Sequence, residues 1–142
     1  MSREKYNTNM NSLLIYTDGG SRGNPGPAAA GFVVDGKGYG EYLGKTTNNI
    51  AEYTAIVRAL EVAKETVGAK HLKDTVVEVR MDSQLAQRQL IGRYKVKNAG
   101  LRPLVDRVKV LETYFKSVKY VHVRREQNTE ADAMVNKALD AQ

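Results

Sequence analysis

The sequence contains no cysteine. That excludes disulfides, thiolate nucleophiles and zinc sites built on cysteine. Histidine is nearly as scarce, with only His71 and His122, so a histidine-rich metal centre is excluded as well. A metal bound here would need oxygen ligands, which suits magnesium or manganese. No stretch approaches the roughly 20 consecutive apolar residues of a membrane-spanning helix. The start, Met1 to Asn11, is polar and lacks the apolar centre of a signal peptide. A cytoplasmic protein without membrane attachment is therefore expected. The chain also has no internal repeat and no low-complexity tract.

What is present is one domain's worth of sequence, 142 residues, with a formal net charge of +6. That length can bury a sizeable core unaided. The basic balance favours a polyanionic partner, nucleic acid above all. Residues 1–11 read as a flexible tail and residues 12–142 as a single domain.

The hydrophobic pattern gives the element order. Ser12 to Thr17 is a short apolar run that reads as a strand meeting a turn at Asp18-Gly19-Gly20. Ala28 to Val34 is a second strand. Asp35-Gly36 is a hairpin signal, and Lys37 to Thr46 is the returning strand. A helix over 50–67 comes next, with Ile56, Leu60, Ala63 and Val67 at helical spacing. Asn49 is its expected N-cap and Gly68 its stop. Thr75 to Met81 is a β-branched strand, and Ser83 to Ile91 a short helix. Leu101 to Phe115 is an amphipathic helix, Val118 to Val123 a strand, and Thr129 to Leu139 a closing helix. The order βββαβααβα predicts an α/β fold with a mixed sheet, its later strands parallel because helices separate them. Ligands of such sheets bind beyond the carboxyl ends of the parallel strands.

Four acids fall where chemistry is expected. Asp18 and Asp82 end the first and fourth strands, so parallel neighbouring strands would deliver both carboxylates to one rim. Glu52 lies in the first turn of the long helix, at capping-box spacing from Asn49. It also shares a stripe with Ile56 and Ala63, and a buried carboxylate without a partner is costly. Asp132 stands three residues before Val135 and seven before Leu139, which places it at the top of the apolar face of the last helix. Four converging acids repel one another unless cations neutralise them. Two divalent ions would do so and could also promote in-line displacement at phosphorus.

Five segments stand around these acids: Tyr16-Thr17-Asp18-Gly19-Gly20-Ser21-Arg22-Gly23-Asn24-Pro25-Gly26-Pro27, Thr46-Thr47-Asn48-Asn49-Ile50-Ala51-Glu52, Asp82-Ser83-Gln84, Tyr94-Lys95-Val96-Lys97-Asn98 and Glu126-Gln127-Asn128-Thr129-Glu130-Ala131-Asp132. In this order they resemble the type 1 ribonuclease H family. The resemblance implies the ribonuclease H-like fold, a five-stranded mixed sheet flanked by helices. It also implies hydrolysis of the RNA strand of RNA–DNA hybrids with two magnesium or manganese ions, leaving 3′-hydroxyl and 5′-phosphate ends. By resemblance Asp18, Glu52, Asp82 and Asp132 are the metal ligands. Ser21, Asn24, Asn48, Asn49 and Gln84 match residues along the hybrid's minor groove, where short polar side chains read 2′-hydroxyls, and Gly19 is a further expected substrate contact. Thr47 and Asn98 match a pocket for a phosphate of the DNA strand. A monomer is expected.

The sequence departs from the family in two places. Many members carry a histidine in the loop before the last acid. Here that loop reads Val121-His122-Val123-Arg124-Arg125-Glu126-Gln127-Asn128, and His122 belongs to the strand. Arg124 or Arg125 stands nearest the histidine's position, and Arg124 is the expected substitute, steadying the leaving phosphate or helping to displace a metal, since arginine is no general base at neutral pH. The basic protrusion that many bacterial members insert after Asp82 is also missing. Arg80, Arg88, Arg93, Lys95 and Lys97 supply charge instead, and other RNA-containing duplexes become conceivable substrates. The alternatives are a DNA resolvase or transposase-type nuclease, or a non-catalytic hybrid-binding module. All four acids being present speaks against the module, and Asn48-Asn49 with Asp82-Ser83-Gln84 speaks against the DNA nuclease.

Overall fold

A computed structural model describes residues 11–142. The expected tail lies outside the described residues except for Asn11, which is buried and opens the first strand. The elements are β1 (Asn11–Ser21), β2 (Gly26–Val34), β3 (Lys37–Thr46), α1 (Asn48–Val67), β4 (Thr75–Met81), α2 (Gln84–Leu90), α3 (Arg102–Glu112), β5 (Ser117–His122) and α4 (Thr129–Asp140). The order is the expected βββαβααβα. Among the described residues, no helix is long and apolar enough to cross a membrane.

The five strands form one sheet in the order β3-β2-β1-β4-β5. β1, β2 and β3 pair antiparallel, while β4 runs parallel to both β1 and β5. The Asp35-Gly36 hairpin forms as its residue types demand, with φ of 53° and 80° at the two turn positions. β1 and β4 alternate buried and more exposed residues, so Leu13, Ile15, Val77 and Val79 face α1 in the main core. Each fully buried side chain of this size contributes about 1.5–3 kcal/mol.

α1 lies close on the sheet because small residues recur every fourth position: Ala51, Ala55, Ala59 and Ala63 are all fully buried. Its N-cap is Thr47 and not Asn49. The Thr47 hydroxyl accepts the Ile50 N–H at 3.2 Å. β3 runs through Thr46, so the chain enters the helix at once and the cap falls two residues early. Gly68 ends the helix as expected, its N–H bonded to the Lys64 carbonyl.

α4 covers the opposite face of the sheet, over β2 and β3. Ala131, Val135 and Leu139 form its buried stripe. Asp132 is exposed on the flank of that stripe instead of topping it. The four-residue spacing 131, 135, 139 gives the first buried position to Ala131.

Candidate active site

The parallel ladder between β1 and β4 ends at the pair Thr17–Met81. Asp18 and Asp82 are the next residues on the two strands, so the register alone delivers both carboxylates to one point. On its other side β1 stays paired with β2 as far as Ser21, with Asp18 opposite Gly31. Asp18 is therefore held in an intact antiparallel ladder. Asp82 is held by the helix start next to it: the Ser83 hydroxyl accepts the Ala86 N–H at 3.2 Å and begins α2 immediately.

Two glycines let helices bring in the other acids. A Cβ on Gly19 would stand 2.2 Å from the Ala51 carbonyl carbon and 2.4 Å from the Glu52 nitrogen. Only a glycine there lets α1 approach β1 closely enough to place Glu52 beside Asp18. With Thr47 as the cap, Glu52 is too deep in the helix for a capping box, so that local role is removed. On the other face, a Cβ on Gly31 would stand 2.3 Å from the Ala131 carbonyl oxygen, and α4 docks there with Asp132 at its first turn.

Carboxylate oxygens of Asp18, Glu52 and Asp82 lie within 4.8 Å of one another. Asp132 joins them in lining a cleft of about 360 Å³, together with Gly19, Ser21, Asn48, Arg125 and Asn136. Burial, then the charges of Asp82 and Asp132, push the Asp18 carboxyl up to about 7, although the Gly19 N–H donates to it at 2.9 Å. Glu52 is raised well above the usual range by burial and by Asp18 and Asp82, and Arg125 partly offsets this. An all-oxygen donor set whose members suppress one another's ionisation fits a hard divalent cation. A larger cleft of about 470 Å³ opens between α1 and α3. Two of its cations are already paired, Arg58 with Glu41 and Glu61, and Arg107 with Glu61.

Of the residues expected to contact substrate, three form a knot at the cleft mouth. The Ser21 N–H and hydroxyl both donate to Asn48 Oδ1, at 2.9 and 3.0 Å, and the Asn48 N–H donates to Asn24 Oδ1 at 3.0 Å. Gly19 lies within the cleft, and Thr47, Asn49, Gln84 and Asn98 lie outside its lining. Thr47 caps α1, and Asn98 Oδ1 accepts the Gly100 N–H at 2.7 Å. Asn49 and Gln84 are exposed.

The arginines divide differently from expectation. Arg124 is largely exposed, and among the described residues the acid it meets is Glu126, at 3.9 Å. Arg125 lines the cleft and acts on Glu52. A short 3-10 turn over Arg125–Gln127 produces this difference between neighbours. Two asparagines to which the sequence assigned no role, Asn136 and Asn128, also belong to the site's surroundings. Asn136 Nδ2 donates to Asp132 Oδ2 at 3.4 Å, and its Oδ1 accepts from Arg22 at the same distance. Its position four residues after Asp132 was the signal that could have found it.

Residues 17–138 match a protein-family model described as reverse transcriptase-like. The chain is 43% identical to ribonuclease HI of Halobacterium salinarum over 131 residues, covering 88% of this chain and 63% of that protein. It is 32% identical to the ribonuclease H of Dechloromonas aromatica, covering 91% of this chain and 94% of that one. Mycobacterial relatives at 40% identity are longer, and the chain spans 36% of their length. The crystal structure of LC11-RNase H1 in complex with RNA/DNA hybrid superposes with a TM-score of 0.84 at 43% identity, covering 91% of this chain and 97% of that one.

Proposed function

Since this chain belongs to the type 1 ribonuclease H family, we propose that it is an endoribonuclease hydrolysing the RNA strand of RNA–DNA hybrids. The observation that carries the reading is the convergence of Asp18, Glu52 and Asp82 at the end of the β1–β4 ladder. The LC11 protein of the same fold was crystallised on such a hybrid. The catalytic unit is residues 12–142.

Asp18, Glu52, Asp82 and Asp132 would hold magnesium or manganese, two ions when substrate is bound. Divalent ions in such a site supply Lewis acidity for in-line displacement at phosphorus. In the net reaction the oxygen of water bonds to phosphorus and the P–O3′ bond breaks. One product ends in a 3′-hydroxyl and the other in a 5′-phosphate. Asp18 and Asp82, fixed on adjacent strands, define the centre, while Glu52 and Asp132 close on it from opposite faces of the sheet.

Ser21, Asn24 and Asn48 present fixed polar groups at the mouth of the cleft, suited to 2′-hydroxyls. Gly19, which lines the cleft, offers its backbone to the hybrid, and Asn49 and Gln84 extend the minor-groove contact. Thr47 and Asn98 take a phosphate of the DNA strand. Arg125, the cation beside Glu52, takes the part expected of Arg124: it steadies the scissile phosphate and the product as it leaves.

The test is a panel of matched RNA–DNA, RNA–RNA and DNA–DNA duplexes with magnesium or manganese, using the wild type and Asp18→Asn. Cleavage of the hybrid's RNA strand by the wild type alone is expected. Cleavage of DNA–DNA in preference to the hybrid, or full activity of Asp18→Asn, would overturn the proposal.

A further inference from the structure

Asn128 marks the start of α4, four residues before Asp132. Asparagine at a helix boundary ordinarily turns its side chain back to cap the first turn. This one makes no capping bond. Its side chain is buried, and Nδ2 donates to the Thr17 carbonyl at 2.9 Å, across 111 residues of sequence. The orientation is fixed by chemistry, because a carbonyl only accepts. The Asn128 backbone carbonyl in turn accepts the Asp132 N–H at 3.1 Å. One residue is thus bonded both to the strand position just before Asp18 and to the helix position that carries Asp132.

Two further observations make this more than a local staple. Asn128 Oδ1 is buried without a hydrogen-bond partner, an arrangement that costs stability and is uncommon in folded proteins. A residue serving stability alone would sit better with its oxygen capping the helix. Moreover, Asp132 is the exposed acid of the four. Apart from its approach to Asp18, its carboxylate meets the long contact from Asn136. The Asn128–Thr17 bond is a side-chain hydrogen bond of ordinary length that ties the start of α4 directly to the end of the β1–β4 ladder.

We propose that Asn128 is a positioning residue that sets the separation of Asp132 from Asp18, and through it the affinity of the site for divalent cations. The inference rests on the proposed reading of the acids as metal ligands. Outer partners that hold metal ligands in place typically change metal affinity by about 10- to 100-fold when removed.

The test is a double-mutant cycle read by calorimetric titration with manganese on the wild type, Asn128→Ala, Asp132→Asn and the double variant. Asn128→Ala should weaken manganese binding about tenfold in the wild-type background and have no further effect in Asp132→Asn. The variant's KM for hybrid should stay near the wild-type value while kcat falls. Unchanged manganese affinity in Asn128→Ala, or an equal loss in both backgrounds, would overturn the inference in favour of a purely structural tether. Circular dichroism checks folding. If Asn128→Ala is unfolded, the same cycle run with Asn128→Ser, which retains a smaller polar side chain, decides between the same outcomes. A wild type that takes up no manganese, or an Asp18→Asn control that binds it as well as wild type, would instead overturn the reading of the acids.

Discussion

A Cβ atom on Gly19 would lie 2.4 Å from the backbone nitrogen of Glu52, so strand β1 and helix α1 touch backbone to backbone beside the acids. No rotamer change relieves such a contact, because both partners are main chain. Gly19→Ala should therefore push α1 away from β1, with a cost of about 3 kcal/mol or more, at the upper end for overpacked sites. Glu52 would move with the helix. Chemical denaturation should report the lost stability, and hybrid cleavage should fall further than the stability loss explains. A variant with normal stability and turnover would show that the close approach is dispensable.

The crowded acids make a prediction about pH in the absence of divalent ions. The Asp18 carboxyl stands at about 7 in the folded protein against 3.8 for an ordinary aspartate. Between those values the folded state binds more protons than the unfolded state. The contribution of Asp18 to metal-free stability should therefore be fullest below about pH 4 and be lost as pH rises toward 7, with Glu52 acting in the same direction. At about 1.4 kcal/mol per pKa unit, the loss is on the order of a few kcal/mol. Thermal melts in chelator across this range should show it. Asp18→Asn should flatten the slope, and added magnesium should stabilise most at the high-pH end, where the carboxylates are ionised.

Arg125 and Arg124 are neighbours with opposite surroundings, which permits a matched comparison. Arg125→Gln removes a cation that lines the cleft and acts on Glu52. Its turnover should drop about tenfold or more, equivalent to ~1.4 kcal/mol of barrier. Arg124→Gln removes an exposed charge whose nearest acid is Glu126 at 3.9 Å, and should stay within about twofold of wild type, since exposed pairs contribute little. Steady-state kinetics on one hybrid substrate measures both. Equal losses would point to general charge, and a larger loss at Arg124 would restore the expectation from sequence.

Binding of hybrid should weaken steeply with salt. The chain carries a net charge of +6, and each phosphate contact displaces counterions from the duplex. Raising salt from about 50 to 200 mM should cost at least about tenfold in affinity, measured by fluorescence anisotropy in calcium or with Asp18→Asn so that no cleavage occurs. A flat dependence would mean that groove contacts outweigh phosphates.

Much of this protein was determined by local sequence. The Asp35-Gly36 turn, the helical spacing of Ile56, Leu60, Ala63 and Val67 in α1 and the β-branched run of β4 each specify an element by short-range sterics and periodicity. Those elements, in order, sufficed to predict a mixed sheet with Asp18 and Asp82 on one rim, although the turn expected at Asp18-Gly19-Gly20 is strand, β1 running on to Ser21 against β2. The absence of cysteine and the scarcity of histidine restricted any metal to oxygen ligands before geometry entered.

Other features were decided only when the elements docked. The cap of α1 moved to Thr47 because β3 runs to Thr46, and that shift took Glu52 out of a capping role. Asp132 is exposed because α4 meets the sheet through Ala131, at a backbone contact that only Gly31 permits. Arg125 turned into the cleft, and Arg124 away from it, through a single 3-10 turn. Asn128 gave up its cap for a carbonyl on β1, 111 residues distant. Periodicity records which face of an element is apolar. It does not record how closely two backbones approach or which neighbour a polar group finds there, and those short-range contacts across long sequence separations are what assemble the four acids.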